Sequence, residues 1–335
     1  MKLFVTGAAG YVGSHTVLEL LNGGHEVMGF DNLSNGDLRT LDQVQKITGK
    51  NIDFKFGDIR DQNLVQAELK KFSPDAIIHF AALKSVTDSF NDPVEYYDVN
   101  VNGSISLLKA VNSLQHRNLI FSSSATVYGF PNYLPLDEDH PKSPTNPYGQ
   151  TKITVENILK DWVNSNINNR AVCLRYFNPI GAHWSGAIGE SPRGRPNNIM
   201  PYISQVASGK LPYIKIFGND YPTRDGTGER DYIHVTDLAI CHKKAVELIL
   251  NLERFEVLNV GTGKGTTVKE LVTSFENVIG VALPSLIKDR RQGDIASSFA
   301  DTKLAEIKLK YKCKRSVLRA CKDEWNWKIK NIHNS

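Results

Sequence analysis

Residues 2–31 read KLFVTGAAGYVGSHTVLELLNGGHEVMGFD, and the fold follows from how this stretch is parsed. A short apolar run, KLFVT, meets a turn carrying Gly7, Gly10 and Gly13. Helical periodicity then runs to the Gly23–Gly24 stop, and a second apolar run ends on Asp31. Glycines between a strand and a helix let the backbone approach a pyrophosphate at the positive end of that helix. An acid closing the second strand, about 20 residues on, is placed to hydrogen-bond an adenosine ribose. A carboxylate there would repel a 2′-phosphate, so NAD is favoured over NADP. The spacing is GxxGxxG rather than the commoner GxGxxG, and a turn that only joins strand to helix would look the same. Asp31 also reads as a plain turn residue of DNLSNG.

The alternation continues outward from this unit. IDFKFGD (52–58), DAIIHFAA (75–82), NLIFSSSATVYG (118–129) and RAVCLRYFN (170–178) are strand candidates. DQNLVQAELKKF (61–72) is a helix that Asp61 is placed to cap, and longer helical stretches lie around 94–115 and 148–165. Strands alternating with helices predict a Rossmann-type α/β fold with a doubly wound parallel sheet. After Asn178 the pattern lapses into NPIGAHWSGAIGESPRGRPNN, rich in Gly, Pro and Asn, which reads as a long functional loop. FEVLNVG (255–261) returns to strand character and could rejoin the main sheet. The expected organisation is a nucleotide-binding domain over 1–177 plus roughly 230–261. A smaller, discontinuous C-terminal substrate domain is expected over 178–229 and 262–335.

With 335 residues, 41% hydrophobic and 23% charged, the chain can bury a large core without disulfide or metal braces. The four cysteines form no CxxC pair, and His79, His183 and His234 show no ligand spacing, so no metal site is expected. The histidines read as packing or loop residues. MKLFVTG enters a strand without the regions of a cleavable leader, and no stretch approaches the roughly 20 apolar residues of a membrane span. A cytoplasmic protein is expected, with no membrane and no nucleic-acid partner. Residues 308–322, KLKYKCKRSVLRACK, hold seven Lys or Arg and no acid. Such a run can mark an anionic partner, but a solvated face with Leu309, Tyr311 and Cys313 turned inward is favoured.

PYGQTK (147–152) sets Tyr148 and Lys152 one helical turn apart, on one face. A phenol titrates near 10 and is no base at neutral pH. A neighbouring ammonium and a cationic nicotinamide would both stabilise the phenolate, which makes Tyr148 a candidate base. Ser124, at the end of a strand, could bring its hydroxyl to the same place.

The glycine turn, Asp31, Ser124 and the Tyr148/Lys152 pair resemble the extended short-chain dehydrogenases/reductases. DNLSNG, GDIRD, FAALKSV, EYYDVNVNG, FSSSATVYG, LRYFNPIGAH, PNNIMPYI, IFGNDYPTRDGTGERDYIHVTDLA and RRQGD resemble, more narrowly, the UDP-glucose 4-epimerase family. The likeness runs from residue 1 to about 302. It implies an NAD-dependent isomerase that interconverts UDP-glucose and UDP-galactose through a 4-keto intermediate, in the galactose branch of carbohydrate metabolism.

By that resemblance Gly7, Gly10, Tyr11, Val12 and Gly13 cradle the NAD pyrophosphate. Asp31, Asn32, Leu33, Ser34, Asn35 and Gly36 hold the adenosine ribose, and Asp58 with Ile59 the adenine. Phe80, Ala81, Ala82, Leu83 and Lys84 line the cofactor, with Phe177 near the nicotinamide. Tyr148, Lys152 and Ser124 are the catalytic set and also touch the cofactor. Lys84, Ser124, Tyr148, Asn178, Asn198, Ile199, Phe217, Arg230, Arg291, Asp294 and Ser298 match the nucleotide-sugar positions. Arg230 and Arg291 suit bidentate contact with a diphosphate.

At position 99 the chain has Val where some relatives have an NAD-contacting Asn, so no cofactor contact is expected there. At 298 a small Ser replaces a bulky Tyr, which motivates acceptance of UDP-GlcNAc and UDP-GalNAc. A homodimer is expected by family likeness, through long helices of the sheet domain.

Two enzymatic alternatives are a nucleotide-sugar 4,6-dehydratase and a UDP-uronate decarboxylase. Both need acids beside the serine, whereas Ala125 and Thr126 follow Ser124. A non-catalytic NAD-sensing scaffold on the same fold is the alternative of another class.

Overall fold

In the computed structural model of the chain, which describes residues 1–191, 196, 198–291 and 293–331, the strand candidates assemble into one seven-stranded parallel sheet. Its strands are β1 (Lys2–Thr6), β2 (Glu26–Asp31), β3 (Asp53–Phe56), β4 (Ala76–His79), β5 (Arg117–Ser124) and β6 (Asn169–Tyr176). The chain then leaves through β7 (Asn178–Ile180), β8 (Ile214–Phe217) and β9 (Glu229–His234), and returns as β10 (Phe255–Val260). β11 (Gly265–Thr267), β12 (Ser285–Lys288) and β13 (Ser297–Ser298) follow. The main order is β3-β2-β1-β4-β5-β6-β10. Strand order reverses between β1 and β4, and an open α/β sheet leaves its ligand crevice at the carboxyl ends of such a pair.

Alternate residues of each strand feed two cores, as a period of two requires. Leu3, Val5, Ile78, Ile120 and Val172 pack with Leu18, Val44 and Leu238 on one face. Phe4, Ile77, Leu119, Phe121 and Cys173 pack with Leu69, Leu107, Leu159 and Trp162 on the other. Each large apolar side chain so buried contributes about 1.5–3 kcal/mol. Both faces being covered explains why these strands read as unbroken apolar runs.

The segment at 230–261 is shared between layers. β9 hydrogen-bonds to β7, β11 and β13 in a smaller sheet. The helix Val235–Leu248 buries Leu238, Cys241 and Ala245 in the first core, and β10 pairs with β6 along the edge of the main sheet. Ala305 and Leu309, from a helix at Lys303–Leu309, join that same core. Elsewhere, Met200, Ile203, Ile214, Ile216, Leu271, Phe275 and Ala320 form a third core around the β8–β12 pair.

The long loop expected at 178–198 holds β7, and its residues 192–195 and 197 lie outside the described residues. In the basic segment, Lys308 pairs with Glu256 at 2.9 Å, Lys312 with Glu306 at 3.2 Å, Arg319 with Asp323 at 2.7 Å, and Arg315 with Asp237. Leu309 is fully buried, and the Tyr311 hydroxyl donates to Asp237 at 2.6 Å. Among the described residues no helix is long and apolar enough to cross a membrane.

Candidate active site

A cleft opens in the crevice between β1 and β4. Its floor is the glycine turn. Gly7 has a φ of +70°, and a Cβ on it would meet the Ala81 nitrogen at 2.7 Å. A Cβ on Gly13 would lie 2.1 Å from the Gly7 carbonyl oxygen, so the first helix can start only over a bare residue. Gly10 differs. It opens the helix Tyr11–Asn22 with no side-chain cap, and it faces the cleft. The first helical N–H groups are therefore served by no capping side chain, which is the cradle a pyrophosphate needs.

The wall continues through β2 and β3. The Asp31 carboxylate accepts from Ala9 N at 3.0 Å and Leu33 N at 2.8 Å, tying the glycine turn to the end of β2. Asn32 donates to Asp58 Oδ2 at 3.1 Å. Hydrogen bonds from the Arg60 guanidinium hold the Asp58 carboxyl down to about 2. An ionised acid thus stands beside the buried Ile59 at the adenine end. Ser34, Asn35, Gly36 and the run Phe80–Lys84 complete this wall, with Phe30 and Gly57 added to the residues expected from sequence. A long groove, acidic at one end and uncapped amides at the middle, fits a dinucleotide.

At the far end stand Tyr148, Lys152 and Tyr176. Asn146 caps the helix Pro147–Ser165 by accepting from Gly149 N at 2.8 Å, and Pro147 occupies its first turn. Those two residues place Tyr148 at the helix entrance. The Ser124 hydroxyl, at the end of β5, accepts from Thr126 Oγ1 at 3.0 Å and lies on the side of Tyr148 where it favours the ionised phenol. Lys152 is buried and donates to the Ser122 carbonyl at 2.8 Å, with its nitrogen 5.7 Å from the centre of the Tyr148 ring.

Burial dominates the electrostatics here. It pushes the Tyr148 phenol well up, with Tyr176 adding to the rise and only Ser124 opposing it. It also lowers Lys152 to about 7, against a smaller pull from Glu156. The ammonium and the cationic nicotinamide were expected to lower the phenol together. Removal from water outweighs an ammonium aimed at a carbonyl, which leaves that expectation to the nicotinamide charge.

Val99 and Tyr176 line the cleft, neither of them among the cofactor residues named from sequence. Phe177 lies in an apolar cluster with Val127, Tyr128, Leu136, Ile153 and Ala300. Leu33 packs against the main core. Asn100 was missed. It sits in a π-helical turn, Asp98–Asn102, where its amide accepts from Leu83 N at 2.8 Å and donates to Leu83 O and Thr151 Oγ1, each at 3.0 Å. That amide ties the cofactor wall to the tyrosine helix.

The nucleotide-sugar positions gather in a second group. Asp294 accepts from Arg230 at 3.2 Å and from Arg291 at 3.0 Å, holding two guanidiniums side by side. Arg291 lies over the Phe217 ring, 4.8 Å from its centre. Gly293 is 3.8 Å (as a built Cβ) from Thr145 Oγ1, so this group borders the start of the tyrosine helix. Ser298 is buried on β13, in register with Arg230 of β9. Asn198 and Ile199 open the helix Ile199–Ala207, and Asn178 is exposed at the start of β7.

Comparison with known proteins accords with this geometry. A family model described as GDP-mannose 4,6 dehydratase matches residues 4–323. The UDP-glucose 4-epimerase of Bacillus subtilis is 48% identical over 99% of this chain and 98% of its own. Among solved structures, the Stenotrophomonas maltophila enzyme of that name, with bound NAD and formylated UDP-arabinopyranose, superposes with a TM-score of 0.98 at 45% identity. It is covered completely, as is this chain. The Bifidobacterium longum enzyme, in complex with NAD+ and UDP, gives 0.96 at 42% identity, again over the whole of both chains.

Proposed function

The chain belongs to the UDP-glucose 4-epimerase family, and we propose that Tyr148, Ser124 and Lys152 carry out its reaction. The chain is an NAD-dependent isomerase that interconverts UDP-glucose and UDP-galactose. Bound NAD supplies the oxidant at carbon 4 of the sugar and the positive charge that the buried phenol lacks. Tyr148 then takes the proton of the 4-hydroxyl, and Ser124 holds the reacting oxygen. Lys152, one of whose three N–H donors is taken by the Ser122 carbonyl, uses the others to grip the cofactor ribose and to hold the phenolate. Arg230 and Arg291 anchor the diphosphate while the hexose of the 4-keto intermediate turns over, so that hydride returns to its other face.

One observation carries this reading: Tyr148 and Lys152 line the same cleft that the uncapped glycine turn opens. Because oxidation and reduction cancel, the purified chain is expected to convert UDP-galactose with no NAD added. No conversion under those conditions would overturn the reading and favour a dinucleotide-sensing scaffold. A 4,6-dehydratase is disfavoured by the turn Ala125–Val127, which puts no carboxylate beside Ser124.

Ser298 motivates a wider substrate range. Its small side chain is buried in register with Arg230, and a serine demands less space there than the tyrosine that restricts relatives to glucose and galactose. UDP-GalNAc is expected to turn over beside UDP-galactose, and Ser298→Tyr to abolish the first reaction only. Failure of the wild-type chain on UDP-GalNAc removes this extension.

Further, we infer a homodimer through the helices Pro93–Tyr97, Gly103–Val111 and Pro147–Ser165, supported by the exposed Val94 and Tyr97. Sedimentation at micromolar concentration tests it. Four free cysteines suit a reducing cytoplasm. The division of labour follows the layers, with the main sheet holding NAD and the smaller sheets holding the UDP-sugar.

A further inference from the structure

Glu190 belongs to none of the groups above, yet it touches two of them. Its side chain is 5% exposed, and one oxygen, Oε1, accepts from Lys84 Nζ at 2.8 Å and from Asn198 Nδ2 at 2.7 Å. Lys84 is part of the cofactor wall, and Asn198 opens a helix of the substrate half. A second cavity, lined by Gly10, Tyr11, Asn35, Lys84, Gly189 and Glu190, runs between the glycine turn and this loop.

The carboxylate is held from behind. A Cβ on Gly189 would come within 2.6 Å of the Trp327 ring, so the backbone is pressed flat against a large buried side chain. A parallel tie lies at the other end of the loop, where the Tyr11 hydroxyl donates to the Gly181 carbonyl at 2.5 Å. Burying a carboxylate is costly, and hydrophobic residues of similar volume often stabilise a fold as well or better. An acid at this position therefore calls for a role beyond stability.

We propose that Glu190 is a positioning residue that couples the two binding sites, setting Lys84 against the dinucleotide and Asn198 against the nucleotide sugar through one shared oxygen. The proposal rests on the reading of Lys84 and Asn198 given above. A ligand that seats either donor fixes the shared acceptor for the other, so each ligand tightens its neighbour, and by the same factor. In the turnover cycle this keeps the cofactor seated whenever UDP-sugar is present.

The test uses the NAD-containing enzyme as purified. UDP binding is measured by calorimetry, kcat and KM on UDP-galactose, and NAD retained through gel filtration with and without UDP. Asn198→Ala is expected to weaken UDP about tenfold, the loss expected of a charge-assisted hydrogen bond. Glu190→Ala should do the same, raise KM in proportion and change kcat little. The double variant should be no worse than either single, and UDP should no longer slow loss of NAD. Glu190→Gln, which keeps the acceptor oxygen, should restore most of the UDP affinity. Should Glu190→Ala not fold, Glu190→Asp withdraws the oxygen by one methylene and is expected to follow the Ala pattern. If Asn198→Ala leaves UDP affinity unchanged, the assignment of Asn198 falls and takes this proposal with it. If Asn198→Ala weakens UDP while Glu190→Ala does not, or the double variant shows the product of the single effects, the coupling alone is overturned.

Discussion

The cofactor groove takes most of its wall from a few continuous runs at the ends of adjacent parallel strands, Gly7–Gly13, Asp31–Gly36, Gly57–Ile59 and Phe80–Lys84. The proposed nucleotide-sugar clamp instead draws single residues from separate places: Asn198, Phe217, Arg230, Arg291 and Asp294. The groove's polar atoms are tied into backbone, as Asp31 is to Ala9 and Leu33. The clamp holds itself through ion pairs between side chains, with Arg230 and Asp294 18% and 21% exposed and Arg291 51% exposed. A backbone-tied site is rigid before its ligand arrives, whereas a side-chain site is oriented by whatever lies behind it. Substitutions in the groove should therefore strike folding and cofactor retention, and substitutions in the clamp should strike KM.

The sharpest test sits where the two meet. Tyr148→Phe removes the base and leaves the groove, so kcat on UDP-galactose should fall about a thousandfold while the purified protein keeps its NAD. Loss of NAD from that variant would show that the groove is not independent of its chemical end. Gly13→Ala attacks the groove itself. The added methyl cannot avoid the Gly7 carbonyl, and chemical denaturation should register a loss of about 1–3 kcal/mol with NAD missing after purification. Asp294→Ala attacks the clamp. Freed guanidiniums should raise KM for UDP-galactose about tenfold with kcat and NAD content little altered. A variant that loses NAD instead would erase the distinction between the two regions.

The smallest effect lies beneath the clamp. Glu324, on the helix Val317–Lys330, is fully buried and accepts from Ser204 Oγ at 3.0 Å, with Lys328 and Glu190 as its charged neighbours. Burial, reinforced by Glu190, raises its carboxyl from 4.5 to about 8. The folded state thus keeps a proton that the unfolded chain releases, and stability falls as pH rises through that window. Glu324→Gln removes the dependence. Its melting temperature should exceed that of the wild type by a few degrees at about pH 8 and by little at about pH 5. An equal gain at both would place the cause elsewhere.

What could be read from sequence follows the same division. The glycine turn, Asp31, the Asp61 cap on Leu64 and the return of β10 are local or periodic features, and local pattern is what a sequence displays. The tyrosine–lysine spacing also gave the shared helical face, but no spacing reports burial, which reverses the expected effect on the phenol. Tyr176 was not picked out because it sits at the last position of β6, where the chain turns out of the sheet. Asn100 escaped because a π turn shifts the helical phase around it. Glu190 escaped because its two partners lie 106 and 8 residues away.

The main sheet is completed only by its latest strand. β10 seals the edge of β6 after an excursion of some eighty residues into the smaller sheets. On the ribosome, at roughly 5–20 residues per second, β6 waits several seconds with its edge unpaired. An uncovered edge strand is a template for association with another chain. Nascent molecules are then most exposed to mispairing and to chaperones between synthesis of Tyr176 and synthesis of Val260, and a fusion or truncation that delays the latter lengthens that interval.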